Sequence, residues 1–152
     1  EALLRRAFEK LVAGDLPGCE QLASEAIARS PRAECYMLRS RARSLQDNWR
    51  GGLEDGERAV AADPRIPEAW LARGSARLLA SDAAGAISDA EAGLRLRADD
   101  AALRLLRAQG RAALGQREQA LAELDALLAE LPQGDPNRAG LEQLRAQIAR
   151  PR

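Results

Sequence analysis

The sequence has no histidine and, among 152 residues, one lysine, one methionine and aromatics at only 3%. Without histidine, and with no Cys-x-x-Cys pair, zinc binding and histidine-based acid–base catalysis have no residues to work with. A phosphate-cradling glycine-rich loop is also missing, and the acids fall at helix-surface spacing. An enzyme is therefore the least expected class, and no cofactor or metal is implied. No apolar run approaches the roughly 20 residues that span a bilayer, and no charged-then-apolar leader opens the chain. Membrane insertion is not expected. Twenty-three basic residues balance twenty-three acidic ones, leaving no overall field to attract nucleic acid. The chain opens on Glu1 and ends Arg150-Pro151-Arg152, in keeping with a piece of a longer or processed protein. The compartment stays open, with the cytoplasm favoured.

What the chain does have is Ala, Leu, Arg and Glu, within an apolar content of 46%. That composition favours helices packed through small side chains over strands. The order within it is a period of 33 to 34 residues. Turn signals recur at Gly14-Asp15, Asp47-Asn48, Ser81-Asp82 and Gly115-Gln116, and the copies close at Pro31, Pro64, Ala98 and Pro132. A period of about 34 residues predicts a helical solenoid. Each copy divides into two amphipathic stretches: 2–13 and 17–29, 33–46 and 49–62, 67–80 and 83–97, 100–114 and 117–131. Pro17 and Pro67 sit in first helical turns, where a missing N–H costs nothing. A small column in the first stretch, Ala7, Ser40, Gly74 and Ala108, is set to face a second, Cys19, Gly52, Ala86 and Ala120, and so brings the two helices close. Cys19 and Cys35, near the starts of successive antiparallel helices, are expected to stay unpaired. Asp135-Pro136 reads as an N-cap followed by proline at the first helical position. The helix it opens, 136–149, carries Leu141, Leu144 and Ile148 on one face.

Small residues at the helix crossing, a turn glycine and a closing proline together resemble the tetratricopeptide repeat, over residues 1–132. The resemblance implies an all-α, right-handed α-solenoid of four helix-turn-helix repeats, approximately 1–33, 34–66, 67–100 and 101–134, with a C-terminal capping helix in 135–150. The sequence departs from the family at its large residues. The early aromatic is kept as Tyr36 and Trp70 but replaced by Leu3 and Arg104, and the later aromatic column is basic throughout.

That basic column is one of two, a turn apart on every first helix: Arg6 with Lys10, Arg39 with Arg43, Arg73 with Arg77 and Arg107 with Arg111. Sixteen residues after three of the leading arginines stands an acid, giving Arg39 with Asp55, Arg73 with Asp89 and Arg107 with Glu123. These pairs are predicted to join the two helices of one repeat in partial burial. Repeat 1 has Leu22 at the acid's place. The second column, Lys10, Arg43, Arg77 and Arg111, shows no acid at a fixed offset and is expected to supply polar contacts to a partner.

In the family the first helices line a concave surface on which ligands lie. Here that implies Leu4, Met37, Leu71 and Leu105 in one column and Phe8, Arg41, Ser75 and Gln109 in the next, followed by Leu11, Ser44, Leu78 and Ala112. The wholly apolar first column fits a groove for a peptide or an amphipathic helix, and fits core packing equally. Co-chaperone members clamp a carboxylate with Lys, Asn and Arg at places held here by Leu4, Phe8, Leu38, Glu68 and Ala72, so that mode is not expected. An asparagine ladder, as in the glycosyltransferase version, is ruled out by having only Asn48 and Asn137. The expectation is a monomeric, noncatalytic scaffold for a protein or peptide partner. A regulatory or targeting domain of a larger enzyme is the second reading, and self-association through end faces near Leu3 or Ile148 the third.

Overall fold

A computed structural model describes residues 1–150; Pro151 and Arg152, which end the tail noted above, lie outside the described residues. Among the described residues there are nine helices and no strand: α1 (Ala2–Val12), α2 (Leu16–Arg29), α3 (Ala33–Leu45), α4 (Trp49–Ala62), α5 (Pro67–Leu79), α6 (Ala83–Leu96), α7 (Ala101–Ala113), α8 (Arg117–Glu130) and α9 (Arg138–Ala149). None of them is long and apolar enough to cross a membrane.

The reversal between paired helices is set by one residue in the left-handed region: Gly14, Asp47, Ser81 and Gly115, at φ of 78°, 61°, 64° and 77°. Glycine adopts this conformation without strain, and a short polar side chain tolerates it. The next residue caps the second helix in three of the four turns. Asp15, Asn48 and Asp82 accept the backbone N–H of Gly18, Gly51 and Gly85 at 2.9, 3.1 and 2.8 Å, satisfying a donor that the first turn leaves free.

Helices pair as α1–α2, α3–α4, α5–α6 and α7–α8, and each second helix packs on the first helix of the next pair. First helices also touch one another, α1 on α3, α3 on α5 and α5 on α7, whereas second helices form no comparable pairs. The first helices thus form an inner wall and the second helices an outer one. Small residues at the crossings permit this closeness, as expected: Ala7, Cys19, Ala86, Ala108 and Ala120 are fully buried, and Ser40 donates its hydroxyl to the Gly52 carbonyl at 2.7 Å. Between pairs the approach is closer still. A Cβ on Gly56 would come within 2.6 Å of Arg73 Cα, so α4 and α5 meet backbone to backbone there. Leu103 and Leu124 are the largest fully buried apolar side chains, each stabilising the fold by about 1.5–3 kcal/mol. Both cysteines are buried and free.

The first and last described helices present different faces. In α3, α5 and α7 the residues that lean back on the preceding pair are buried, among them Cys35 and Ala42, Ala69 and Ala76, Leu103 and Leu106. Their counterparts on α1 are Ala2, Arg5 and Glu9, all exposed, and Arg5 lies 3.8 Å from Glu9 across one helical turn. At the other end α9 packs on α8 and lays Leu141, Leu144 and Ile148 against Ala108, Leu124 and Leu127. Its start corrects the sequence reading. Asp135 does not cap the helix; its carboxylate accepts the Asn137 N–H at 2.8 Å and its carbonyl the Arg138 N–H at 3.1 Å. Pro136, with φ already fixed, suits the second position of that turn as well as a first helical turn, and α9 begins only at Arg138.

Candidate functional site

The arginine columns lie between the two walls. Arg39, Arg73 and Arg107 reach the predicted acids of their own repeat, Asp55, Asp89 and Glu123, at 2.8, 2.7 and 2.7 Å. Arg39 and Arg73 each present two nitrogens to the two carboxylate oxygens, the fork geometry that makes such pairs strong. Asp55 and Asp89 are 0% and 1% exposed. Hydrogen bonding to these acids raises the pKa of Arg39 and Arg73 against the opposing effect of burial. Arg73 also stacks over Trp70, 5.0 Å from the ring centre. Arg6, whose partner position holds Leu22, is exposed.

The second column differs from its sequence reading. An acid does stand at a fixed offset, twelve residues on, and it is the same acid: Arg43 reaches Asp55 at 3.0 Å, Arg77 reaches Asp89 at 3.0 Å and Arg111 reaches Glu123 at 3.4 Å. One helical turn brings both arginines to one carboxylate, so each acid is shared. Arg43 additionally binds Glu20 of the preceding repeat at 2.7 Å. These three guanidiniums are engaged inside the solenoid. Lys10, about half exposed, pairs with Asp15 in its own turn, at 2.7 Å. At the place of the lost aromatic in repeat 4, Arg104 holds Glu123 at 3.1 Å and Glu130 at 2.8 Å.

On the inner wall Leu4, Met37, Leu71 and Leu105 are all half-buried. Met37 packs against a buried cluster that joins repeats 2 and 3, Leu71 against one that joins repeats 3 and 4, and Leu105 against that of repeat 4, and Leu4 lines an open surface pocket of about 180 Å³ with Leu3, Ala26 and Cys35. In the second column Phe8 and Arg41 are exposed, while Ser75 and Gln109 are partly covered. A further apolar line was missed from sequence. Val12, Leu45 and Leu79, one turn beyond Phe8, Arg41 and Ser75, are more than half exposed. They share a place near the helix ends, so the repeat alignment gives the column but not its exposure. Among the described residues no group of three or more His, Cys, Asp or Glu side chains is placed to hold a metal ion.

No family model matches the sequence, and no curated protein does. Solved structures match in fold. The thermophilic TPR protein TTC0263 of Thermus thermophilus superposes with a TM-score of 0.86 at 23% identity, covering 98% of this chain and 82% of that one. MamA superposes at 0.69 with 16% identity, covering 97% of this chain and 84% of that one. The first TPR of Spaghetti (RPAP3), solved with the HSP90 peptide SRMEEVD, superposes at 0.66 with 21% identity over 80% of this chain and 98% of that one. The consecutive helix pairs, the small-residue crossings and these superpositions agree: the chain folds as a tetratricopeptide-repeat solenoid.

Proposed function

We propose that this chain is a noncatalytic interaction scaffold that holds a peptide or helix of a partner protein against its inner wall. The carrying observation is that the inner wall combines a half-buried apolar floor, Leu4, Met37, Leu71 and Leu105, with the exposed ring of Phe8. Apolar surface left uncovered on a repeat's inner face fits ligand capture. A peptide complex of the same fold is known in the RPAP3 domain. The residue types here argue against a chaperone tail as the ligand, because Glu68 and the apolar Leu4, Phe8, Leu38 and Ala72 offer a terminal carboxylate no cation. Polar specificity falls to Arg41, Ser75 and Gln109 along the floor and to Lys10 at the edge. Arg43, Arg77 and Arg111 contribute by shaping the wall.

The test is capture of partners by the wild-type chain and by a Leu71→Asp, Leu105→Asp variant shown by circular dichroism to remain folded. Loss of specific partners from the variant is expected; an unchanged set removes the apolar floor from the reading.

A further inference from the structure

In every repeat but the fourth, the second basic column has a carboxylate that the leading arginine does not use. Lys10 pairs with Asp15 at 2.7 Å, Arg43 with Glu20 at 2.7 Å and Arg77 with Asp82 at 3.9 Å. Asp15 and Asp82 cap the helix after their own turn, and Glu20 comes from the second helix of the preceding repeat. Repeat 4 has neither. Gln116 stands at the cap and makes no side-chain capping bond, and Ile87, beside Gly110 of α7, stands at the place of Glu20.

Arg111 is left with Glu123 at 3.4 Å, longer than an ordinary hydrogen bond. That carboxylate already takes Arg104 on one oxygen and two nitrogens of Arg107 on the other. Within ion-pair distance, repeats 2 and 3 balance: Arg39 and Arg43 meet Asp55 and Glu20, and Arg73 and Arg77 meet Asp89 and Asp82. Repeat 4 sets Arg104, Arg107 and Arg111 against only Glu123 and Glu130. Among the described residues, neither Glu91 of α6 nor Glu118 of α8 forms an ion pair with Arg111. Repeat 4 is therefore one carboxylate short.

The vacant place is open to solvent. Glu20 and Asp82, which complete the other repeats, are 30% and 52% exposed, and the Arg111 side chain is 22% exposed. A guanidinium carries several N–H donors in a planar fork that matches a carboxylate, and Arg111 commits one of them to Glu123. The size of the excess selects the ligand. A phosphate brings close to two negative charges, and nucleic acid needs a run of free cations; a single carboxylate restores the balance seen in repeats 2 and 3.

We infer that repeat 4, besides the role of its arginines in shaping the wall, binds an aspartate or glutamate side chain of a partner protein on Arg111, at the turn edge beside Ile87 and Gln116. This rests on the scaffold reading only in making the partner a protein; the apolar floor takes no part in it.

The probes are three fluorescent peptides of equal length, built on Glu-Ala, Gln-Ala and phosphoserine-Ala repeats and measured by anisotropy at low salt, where exposed charges are least screened. The wild-type chain is expected to bind the Glu peptide about tenfold tighter than the Gln peptide. Arg111→Gln should lose about tenfold for the Glu peptide, the scale of one charge-assisted contact. Gln116→Asp places within the chain the carboxylate that Asp82 supplies in repeat 3, and should lose as much. Gln116 is exposed, so this variant keeps the test intact if Arg111→Gln fails to fold. Arg95→Gln removes one charge at an exposed site elsewhere and should bind as the wild type does. Equal binding of the Glu and Gln peptides, tightest binding of the phosphoserine peptide, unchanged affinity in Gln116→Asp or in a folded Arg111→Gln, or an equal loss in Arg95→Gln overturns the inference. If the Glu peptide behaves as expected while the Leu71→Asp, Leu105→Asp variant keeps all its partners, the arginine site stands and the floor falls. If that variant loses partners and the Glu peptide does not bind, the floor stands and the arginine site falls.

Discussion

Asp89 receives two arginines one helical turn apart: Arg73 at 2.7 Å and Arg77 at 3.0 Å, both on the same carboxylate oxygen, while a second nitrogen of Arg73 takes the other oxygen at 3.0 Å. The carboxylate is buried, the arginines are partly covered, and α5 is tied to α6 at the level of the small-residue crossing. Removing the acid leaves two guanidiniums without their partner. Asp89→Ala is expected to cost roughly 3–5 kcal/mol, as for breaking a buried pair. Glu118→Ala, at an exposed site, should stay within about 0.5 kcal/mol. Thermal or denaturant unfolding compares them, and equal effects would sink the claim that the shared acid is structural.

Close backbone approach gives a second prediction. Gly56→Ala places a Cβ 2.6 Å from Arg73 Cα, whereas a Cβ on Gly140 of α9 meets nothing within 4 Å. Overpacking of this kind typically costs about 1–3 kcal/mol, while Gly→Ala at an open helical position gains about 0.5–1 kcal/mol. The two substitutions should therefore shift the urea midpoint in opposite directions.

The third turn holds a non-glycine residue in the left-handed region, Ser81 at φ 64°, just before the cap Asp82. Ser81→Gly relieves a conformation that costs about 1 kcal/mol or more, and Asp82→Ala removes a cap worth about 1 kcal/mol. A rise in stability from the first and a fall from the second are expected in chemical denaturation. A loss of stability in Ser81→Gly would show that the turn holds its shape for another reason.

Where repeats 2 and 3 carry Tyr36 and Trp70, repeat 1 has Leu3 at the wall of an open surface pocket of about 180 Å³, lined by Leu4, Ala26 and Cys35 and by Arg29 and Arg32 at its mouth. Leu3→Tyr puts a ring into that space. Cavity filling commonly gains about 0.5–2 kcal/mol, read as a higher melting temperature; an unchanged or lower value would mean that the ring remains in solvent.

Asp15 titrates below the ordinary carboxylate range, first because Lys10 bonds it and then because it accepts the Gly18 N–H. A carboxylate whose pKa folding lowers stabilises the fold above its unfolded pKa, and that contribution is lost as pH falls through the lowered value. An NMR titration of Asp15 should show a depressed midpoint that moves up in Lys10→Ala. No movement would assign the shift to the cap alone.

The helix pairs, their turns and the small-residue crossings were legible because each rests on a residue type that recurs at a fixed place and has one physical use: a turn residue, a cap, a side chain small enough for close packing. The ion pairs at an offset of sixteen were legible for the same reason. The sharing of Asp55, Asp89 and Glu123 was not, since an acid already matched with one arginine gives no sign in one dimension that a second arrives from the next turn. Asp135-Pro136 misled because the same two residues suit a turn and a helix start. Val12, Leu45 and Leu79 escaped notice because apolar residues at helix ends read as core until the neighbouring helices show that nothing covers them.

The exposed Arg5–Glu9 pair also sets the character of the α1 face. Every internal junction buries small or apolar residues where α1 presents Ala2, Arg5 and Glu9. Packing an apolar surface on this face would desolvate both charges while gaining little apolar burial. Repeating junctions need one face to match the next; the α1 face, with Arg5 and Glu9 exposed where α3, α5 and α7 bury small or apolar side chains, does not match an internal junction.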